Sequence, residues 1–457
     1  MGLRKNISSL HVPHNKHTAA CVPEKIEIPS EVVLPLDVTR HSANTSAPCV
    51  SVGDYVRVGQ VIAIEKGRFS DIIHAPVSGT VTKVGDVFFD TDEPVEGIVI
   101  ESDGKMELSP DVKKPEFTTC EEFLQAVKDS GAVGLGGAAF PTWAKLKEAT
   151  NPDYNVDSVL INAAECEPYI TSDHRMMLAH PELIADGIEY LRKYMSEYLG
   201  KAKFMICIEE NKPDAIEILE KTFEGKDYVE IKKLTAIYPQ GAKQVMLYNA
   251  TGRVAVAGRR FPSFGALIIN VSTLAKLAEY LNTGMPLIER IVTVDGTAVA
   301  TPKNLIAPVG TKVSDLLKYV ELKKGAKIGK VIIGGPMNGT SVYSIDTPIS
   351  KVGNSVLLFD EKDSVLPEAS ACIHCGRCNE KCPVGINVVD VDKAYRQKNE
   401  EIREKEIIAT GVRQCVDCGC CSYVCPAHRP LLEINKKAVS WVKNYAWEKK
   451  EKEGGNK

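Results

Sequence analysis

The hydrophobic pattern changes along the chain and predicts different elements in different regions. From Glu31 to about Ser102, short alternating apolar segments are separated by glycine turns, which is typical of an all-β unit. An apolar segment at 158–161 predicts a buried strand, and the stretch 143–149 after a glycine-rich segment predicts a helix. No apolar run reaches the roughly 18 residues that a membrane-spanning helix requires. We therefore expect packed domains in the cytosol, with any membrane contact made through a partner.

The second half of the chain carries two further patterns. Between Ile291 and Leu358, two apolar strands with glycine turns bracket a predicted helix near 314–322, which indicates a small α+β unit. Residues 387–406 predict one charged helix. The tail from Glu448 is charged and ends near a Gly-Gly pair, so we expect it to be disordered.

Composition narrows the class of protein. A chain of 457 residues with 44% apolar and 25% charged residues is expected to form three or four globular domains. The net charge of -4, without a basic stripe, argues against nucleic acid as a partner. Nine of the fourteen cysteines lie between Cys372 and Cys425. This crowding in a long chain without a signal peptide favours metal ligation over a disulfide scaffold.

Two cysteine runs share the spacing C-x2-C-x2-C-x3-C-P. In bacterial ferredoxins the first three thiolates of such a run hold one cluster and the fourth reaches the other. We therefore predict two 4Fe–4S clusters with shared ligands. One would be held by Cys372, Cys375, Cys378 and Cys425, and the other by Cys415, Cys418, Cys421 and Cys382.

Zinc is the alternative ligand for these cysteines. Structural zinc sites use separated C-x2-C pairs, whereas both runs add a third cysteine and a fourth before proline. Gly376 and Gly419 allow each loop to wind tightly around a cluster. Cys420 lies off the pattern, and we interpret it as a packed thiol.

A glycine-rich segment at 131–142 precedes the helix predicted at 143–149. The spacing Gly134-x-Gly136-x-x-Ala139 matches a dinucleotide-binding pattern, but a plain glycine turn explains the same residues about as well. Glu165 and Glu167 follow the strand predicted at 158–161. Carboxylates at that edge of an α/β sheet lie where ligands bind, although a solvated turn with a helix cap is the alternative.

Taken together, these motifs resemble one family. The segments HVPHNK, GLGGAAFPTWAKL, NAAECEP, YPQGAKQ and NVSTLA, with both cysteine runs, resemble the RnfC component of the Rnf electron-transport complex. The middle of the chain is similar to the flavin-bearing, NADH-binding subunit of respiratory complex I. The resemblance implies a multidomain α/β and α+β protein. We expect an N-terminal arm and all-β barrel-sandwich at 1–105, a Rossmann-like flavin and NAD domain at 106–288, a small β-grasp domain at 289–360, a two-cluster ferredoxin-like helical domain at 361–440 and a charged tail at 441–457.

The resemblance also implies site residues. Non-covalent FMN would contact Gly134, Gly136, Gly137, Lys145, Asn162, Asn270 and Thr273. Glu165 and Glu167 would be the catalytic carboxylates, which face the flavin and the nicotinamide and contact the cofactor. The sequence departs from the complex I pattern at Ala139, where glycine is usual, and at Trp143, where a smaller or polar residue is usual. The Ala139 methyl would narrow the approach of the phosphate.

The implied function is NAD-linked electron transfer. Hydride would pass between NAD(H) and FMN, and single electrons between FMN and the two clusters. The partners would be the membrane and iron–sulfur subunits of an Rnf-type complex, NAD(H) and, through a partner, ferredoxin. The chain would lie peripherally on the cytoplasmic side of the cell membrane, with ion pumping left to other subunits. Two alternatives stay open: a soluble flavin and iron–sulfur reductase of another acceptor, such as a corrinoid reductase, and a non-catalytic relay whose flavin site has decayed.

Two further features carry weaker expectations. In a biotinyl or lipoyl carrier the modified lysine would fall at Arg68, with Lys66 two residues away, so we expect a docking scaffold without an acylated lysine. His11, His14 and His17 have three-residue spacing, which fits a metal site less well than an arm that contacts partners.

Overall fold

The computed structural model describes residues 9–37, 46–66, 71–89, 93–137 and 139–454. They form two compact units, which we describe separately. The larger unit contains residues 14–234 and 261–365. The smaller unit contains residues 9–13, 235–260 and 366–454.

The all-β unit predicted after Glu31 is a pair of antiparallel sheets. The apolar residues of its strands alternate, and their inward side chains, such as Val32, Ile98 and Ile100, form one buried cluster. Arg68 lies outside the described residues, and Lys66 is exposed after the end of a strand. The first sheet contains Glu31–Pro35, Val95–Ser102, Gly79–Val87 and Tyr55–Val56, and the second Ser46–Pro48, Val61–Glu65 and Ile73–His74.

A parallel sheet with flanking helices forms the centre of the larger unit. The strand predicted at 158–161 lies in its interior and is buried along almost all of its length, as expected for a strand covered on both faces. Across the sheet the strands are Val229–Leu234, Lys203–Glu209, Ser158–Ala163 and Ala266–Asn270. The helices are Cys120–Asp129, Thr142–Glu148, Ser172–Ala179, Pro181–Tyr194, Ser196–Leu199, Pro213–Thr222 and Val271–Thr283, with a 3-10 turn at Phe261–Phe264.

A mixed six-stranded sheet completes the larger unit. The helix predicted near 314–322 is shorter than expected, because it ends by Tyr319 and Leu322 pairs with Val299 in an antiparallel bridge. In order, the strands are Glu24–Lys25, Lys303–Pro308, Glu289–Asp295, Ser355–Asp360, Ile328–Ile333 and Thr340–Ser341. The helical segments are Val313–Leu316, Leu317–Tyr319 and Glu361–Ser364.

The smaller unit is helical and contains both cysteine runs. The single charged helix predicted at 387–406 is two helices, because the Asn399 side chain accepts from the Ile402 amide and caps a new helix. The tail predicted to be disordered continues the last helix through Gly454; its Glu and Lys residues favour helix. The helices are Lys243–Thr251, Arg377–Glu380, Val388–Tyr395, Glu400–Ala409, Cys420–Tyr423 and Leu431–Gly454, with a 3-10 turn at Val412–Gln414.

The helices of both units are too short or too polar to span a membrane. Among the residues that the structure describes, no helix is both long enough and apolar enough to cross a bilayer.

Candidate functional site

The glycine-rich segment is attached to the helix Val271–Thr283 through Thr273. The Thr273 hydroxyl oxygen accepts from the Leu135 amide at 2.9 Å and donates to the Val133 carbonyl oxygen at 3.3 Å. Within the segment, the Gly134 amide donates to the Phe140 carbonyl oxygen at 3.0 Å. The structure therefore brings the predicted residues Gly134 and Thr273 into one loop–helix junction.

Two asparagines predicted from the family lie side by side at the carboxyl edge of the parallel sheet. Asn162 and Asn270 are register partners on neighbouring strands. The Asn270 carboxamide oxygen accepts from the Thr273 amide at 3.0 Å and caps the helix, and a side chain at Gly136 would contact the Asn270 carboxamide. Gly136, Asn162 and Asn270 thus converge where open α/β sheets bind ligands.

Two glycines leave a surface of bare backbone beside these asparagines. Gly136 and Gly137 are exposed, and nothing would meet a side chain at Gly137, although its φ of +106° favours glycine. Ala139 has a φ of +47° and is buried. That the Ala139 methyl narrows the approach of a phosphate stays a prediction. An exposed glycine backbone beside Asn270 fits the phosphate and polyol of FMN.

The two remaining residues of this segment lie on the helix Thr142–Glu148. Lys145 is partly buried there. Trp143 is also partly buried, and the Lys128 ammonium lies 5.2 Å from the centroid of its ring. The larger side chain at position 143 therefore packs against neighbouring helices.

Asp173 fixes the orientation of the Asn270 side chain. Its carboxylate accepts from the Asn270 carboxamide nitrogen at 2.7 Å and from the Ser272 hydroxyl. Burial raises the pKa of Asp173, and these two hydrogen bonds oppose that effect. Asn270 is consequently fixed at both ends of its carboxamide.

Glu165 caps a helix. Its carboxylate accepts from the Asp173 amide at 2.6 Å and from the His174 amide at 3.2 Å, at the start of the helix Ser172–Ala179. Burial raises the pKa of Glu165 to about 7, against the favourable charge of Lys16. This position corresponds to the helix-cap alternative, and the predicted contact with flavin stays a prediction.

Glu167 lies against the loop that follows the strand Ile328–Ile333. Its carboxylate accepts from the Met337 amide at 3.1 Å. A side chain at Gly335 would overlap the Glu167 carboxylate, so this close approach requires glycine. The loop therefore positions a carboxylate that the sequence assigned to the nicotinamide side.

Lys16 was missed as a site residue, although its motif contributed to the resemblance. Its ammonium group donates to the carbonyl oxygens of Glu165, Glu167 and Ile170 at 2.6–2.8 Å. Burial lowers the pKa of Lys16, while the neighbouring charge of Glu165 raises it. The part of the N-terminal arm around Lys16 therefore holds the carboxylate loop in place.

Lys212 supports the same loop from the sheet. Its ammonium group donates to the Ala164 carbonyl oxygen at 2.6 Å and pairs with Glu209 at 3.0 Å, both in a buried environment. A buried lysine requires such partners because an unpaired charge in the interior is costly. Lys16 and Lys212 together place two positive charges beside the edge of the sheet.

In the smaller unit the two cysteine runs have the same backbone conformation. His374 and Gly376 have φ values of +54° and +75°, and the equivalent Asp417 and Gly419 have +53° and +73°. All fourteen cysteines are free thiols, so none is used in a disulfide. Repetition of this strained turn in both runs supports a common ligand-binding loop.

The positions of the cysteine thiols are consistent with the crossed arrangement, which stays a prediction. One cavity is lined by Cys382, Cys415, Cys418 and Cys421, the four ligands predicted for the second cluster. The Cys378 thiol interacts electrostatically with those of Cys425 and Cys372. In the described part of the chain, no three His, Cys, Asp or Glu side chains converge as the ligands of a single metal ion do.

The two predicted cluster sites differ in exposure. Cys372 and Cys375 are exposed, whereas Cys418 and Cys421 are buried. Burial raises the pKa of Cys421 to about 12, so this thiol needs a bound cation to ionise at neutral pH. Cys420 is fully buried, in agreement with its interpretation as a packed thiol.

Three family models match the chain in the expected order. The RnfC barrel sandwich hybrid domain matches residues 7–105, the Nuo51 FMN-binding domain residues 127–279, and the 4Fe-4S dicluster domain residues 368–429. The predicted fold class is confirmed by these matches.

Relatives with similar sequences match most of the chain. The RnfC component of the proton-translocating ferredoxin:NAD(+) oxidoreductase complex of Clostridium ljungdahlii is 35% identical over 394 residues, which cover 84% of each chain. This chain belongs to the RnfC family. A second RnfC relative, from the Na(+)-translocating ferredoxin:NAD(+) oxidoreductase complex of Acetobacterium woodii, is 34% identical over 85% of this chain and 87% of its own. The crystal structure of an NAD+-reducing NiFe hydrogenase in the H2-reduced state matches with a TM-score of 0.44 and 21% identity, over 53% of this chain and 47% of that one.

Proposed function

We propose that this RnfC-family chain is the NAD-linked electron-transfer subunit of an ion-translocating ferredoxin:NAD oxidoreductase complex. When bound, FMN would supply the link between two-electron hydride transfer with NAD(H) and single-electron transfer with the two 4Fe–4S clusters, in either direction. The proposal agrees with the family models for an FMN-binding domain and a 4Fe-4S dicluster domain.

One observation carries the flavin part of this proposal. The exposed Gly136 backbone, the Asn270 carboxamide and the Thr273 hydroxyl meet at the carboxyl edge of the parallel sheet. Here Gly134, Gly136 and Gly137 would follow the phosphate, and Lys145, Asn162, Asn270 and Thr273 would supply polar contacts and charge.

The chain's own groups bind, orient and exclude water. Glu167, held by the Met337 amide, would orient the nicotinamide. Glu165, with a pKa raised to about 7, would hold or release a proton near neutral pH. Lys16 and Lys212 would offset the negative charge that accumulates when the flavin is reduced.

The eight predicted cysteines would hold the clusters in the crossed arrangement. Cys372, Cys375, Cys378 and Cys425 would form the first site and Cys415, Cys418, Cys421 and Cys382 the second. The first site, with exposed ligands, would exchange electrons with an iron–sulfur partner subunit of the complex.

The partners would be those of an Rnf-type complex: its membrane and iron–sulfur subunits, NAD(H) and, through a partner, ferredoxin. Both relatives are named as subunits of ion-translocating complexes. The chain would bind peripherally at the cytoplasmic side of the membrane, since NAD(H) is a cytoplasmic substrate.

The two alternatives make different demands on the structure. A corrinoid-reductase-like enzyme would open near the flavin motif and carry the barrel elsewhere, whereas here the RnfC barrel model matches residues 7–105. A relay whose flavin site has decayed is the alternative that Ala139 raises, whereas here the Nuo51 FMN-binding domain matches residues 127–279, which include position 139. Both observations favour the NAD-linked subunit.

Replacement of Glu167 tests this proposal. In Glu167→Ala, NADH-driven flavin reduction should slow roughly tenfold or more, the loss of about 1.4 kcal/mol of interaction, while dithionite still reduces both clusters. Glu167→Gln keeps a side-chain oxygen that accepts from the Met337 amide but removes the negative charge. This variant therefore separates the effect of the charge from the effect of the side chain's position. Equal loss of NADH-driven and chemical reduction would indicate misfolding, and unchanged NADH kinetics in both variants would contradict the assigned role.

A further inference from the structure

The last helix carries one polar side chain in an otherwise apolar buried stripe. Leu431, Asn435, Ala438 and Val442 follow helical spacing and are all buried. Asn435 is only 1% exposed. An apolar residue would pack here without the desolvation cost of a carboxamide, so the position calls for a polar partner.

That partner is a predicted cluster ligand. The Asn435 carboxamide nitrogen lies 3.9 Å from the Cys421 sulfur, within the range of a hydrogen bond to sulfur. Asn435 also lines the cavity formed by Cys382, Cys415, Cys418 and Cys421. Its carboxamide oxygen is buried and has no hydrogen-bond partner among the described residues, so the nitrogen side carries the interaction.

Two further donors lie beside the predicted ligand Cys418. The Tyr238 hydroxyl donates to the Cys418 carbonyl oxygen at 2.8 Å, and Tyr238 is 2% exposed. The Cys420 thiol is fully buried and lines the same cavity as the four predicted ligands. Tyr238 comes from a segment far away in sequence that belongs to the same compact unit.

The first cysteine run is surrounded differently. The Cys372 sulfur accepts from the His374 backbone amide at 3.4 Å, and the Cys378 thiol is itself a donor to the Asn379 carboxamide oxygen at 3.8 Å. Position 377, equivalent to Cys420 in the second run, is an arginine. The buried donors therefore distinguish the second cluster site from the first.

We propose that Asn435, Tyr238 and Cys420 are positioning residues. They raise the reduction potential of the second cluster above the value it would have without these three donors. A donor directed at a ligand stabilises the more negative, reduced cluster more than the oxidised one. The proposal rests on the iron–sulfur part of the proposed function. Two clusters must therefore first be found in the wild-type protein by iron and sulfide analysis; their absence would refute that function and not only this inference.

The test is a potentiometric titration of the full-length, cluster-loaded protein, followed by electron paramagnetic resonance. In Asn435→Leu, one of the two cluster signals should need a lower potential for reduction. At a fixed potential its ratio of reduced to oxidised form should fall about fivefold, as expected for the loss of one hydrogen bond. The other signal should not move. Asn444→Leu, an exposed position on the same helix, is the matched control and should leave both signals unchanged.

Three further variants keep the test decisive if Asn435→Leu fails to assemble its cluster. Cys420→Ala removes a donor and should lower the same potential, whereas Cys420→Ser keeps an O–H donor and should restore it. Tyr238→Phe keeps the ring and should act in the same direction as Cys420→Ala. Wild-type potentials for both clusters in Cys420→Ala and Tyr238→Phe, at full iron content, would overturn the proposal.

Discussion

The Thr273 hydroxyl oxygen accepts a hydrogen bond from the Leu135 amide at 2.9 Å, across 138 positions of sequence. This contact attaches the glycine-rich segment to the start of the helix Val271–Thr283, which Asn270 caps. Both groups are buried, so each depends on the other for a hydrogen bond. The candidate flavin site is therefore a junction between two chain segments.

Thr273→Val tests this junction. Valine has almost the same shape but leaves the buried Leu135 amide without its acceptor, at a cost of about 1–3 kcal/mol. We expect a lower melting temperature and a weaker hold on FMN, measured by the flavin that remains bound after gel filtration. Thr273→Ser keeps the hydroxyl and should behave like the wild type. A valine variant with full flavin content and an unchanged melting temperature would argue against the junction.

Ala139→Gly tests whether the departure from the complex I pattern affects cofactor binding. Ala139 is buried, whereas Gly136 and Gly137 are exposed. Loss of the Ala139 methyl group relieves a left-handed backbone at φ +47° but opens a small cavity, and each effect is worth about 1 kcal/mol. The dissociation constant of FMN, measured by quenching of flavin fluorescence, should therefore stay within about threefold of wild type. Much tighter binding would mean that the methyl group obstructs the phosphate after all.

The pH dependence of stability should reveal the titration of the Glu165 carboxyl group. Burial raises its pKa from 4.5 to about 7, so the folded protein holds this proton more tightly than the unfolded chain. The free energy of unfolding therefore falls as the pH rises from about 4.5 to about 7 and levels off above that range.

Glu165→Gln provides the comparison for that effect. Glutamine still accepts from the Asp173 amide but has no proton to lose in this range. Between pH 5 and pH 8 the wild type should lose up to about 3 kcal/mol relative to the variant, measured by anaerobic thermal unfolding at both pH values. Parallel pH profiles for the two proteins would show that the Glu165 pKa is not raised.

Cys382→Ser tests the crossed ligand assignment. Cys382 follows the first run in sequence but lines the cavity with Cys415, Cys418 and Cys421. The substitution should therefore change the electron paramagnetic resonance signal of the second cluster. Cys378→Ser is the matched control and should change the first. If Cys382→Ser altered the signal that Cys378→Ser also alters, each run would hold its own cluster.

The sequence was informative where a pattern repeats or where a strand is buried on both faces. The strand Ser158–Ala163 and the two cysteine runs were predictable from apolar continuity and from spacing. The strand and the runs depend on short-range sequence, so no tertiary information was needed. The crossed grouping of thiols is predicted from the ferredoxin pattern and stays a prediction.

Contacts between distant segments were not predictable in the same way. Lys16 holds the loop at Glu165 and Glu167, and Tyr238 contacts Cys418, across gaps that no local pattern spans. Asn435 could have been noticed as the polar member of a buried helical stripe, but only once the stripe was known to be buried. Asn399 is a favoured helix-capping residue and indicates the break, but the continuous run of charged residues around it obscures this signal.

The most direct measurement is an anaerobic NADH titration of the purified, cluster-loaded protein. Flavin bleaching is followed by absorbance and cluster reduction by electron paramagnetic resonance. We predict bound FMN that bleaches on addition of NADH, with electrons appearing on the clusters as far as their potentials allow. Full iron occupancy with neither bound flavin nor any response to NADH would contradict the account. That result would indicate a non-catalytic relay subunit.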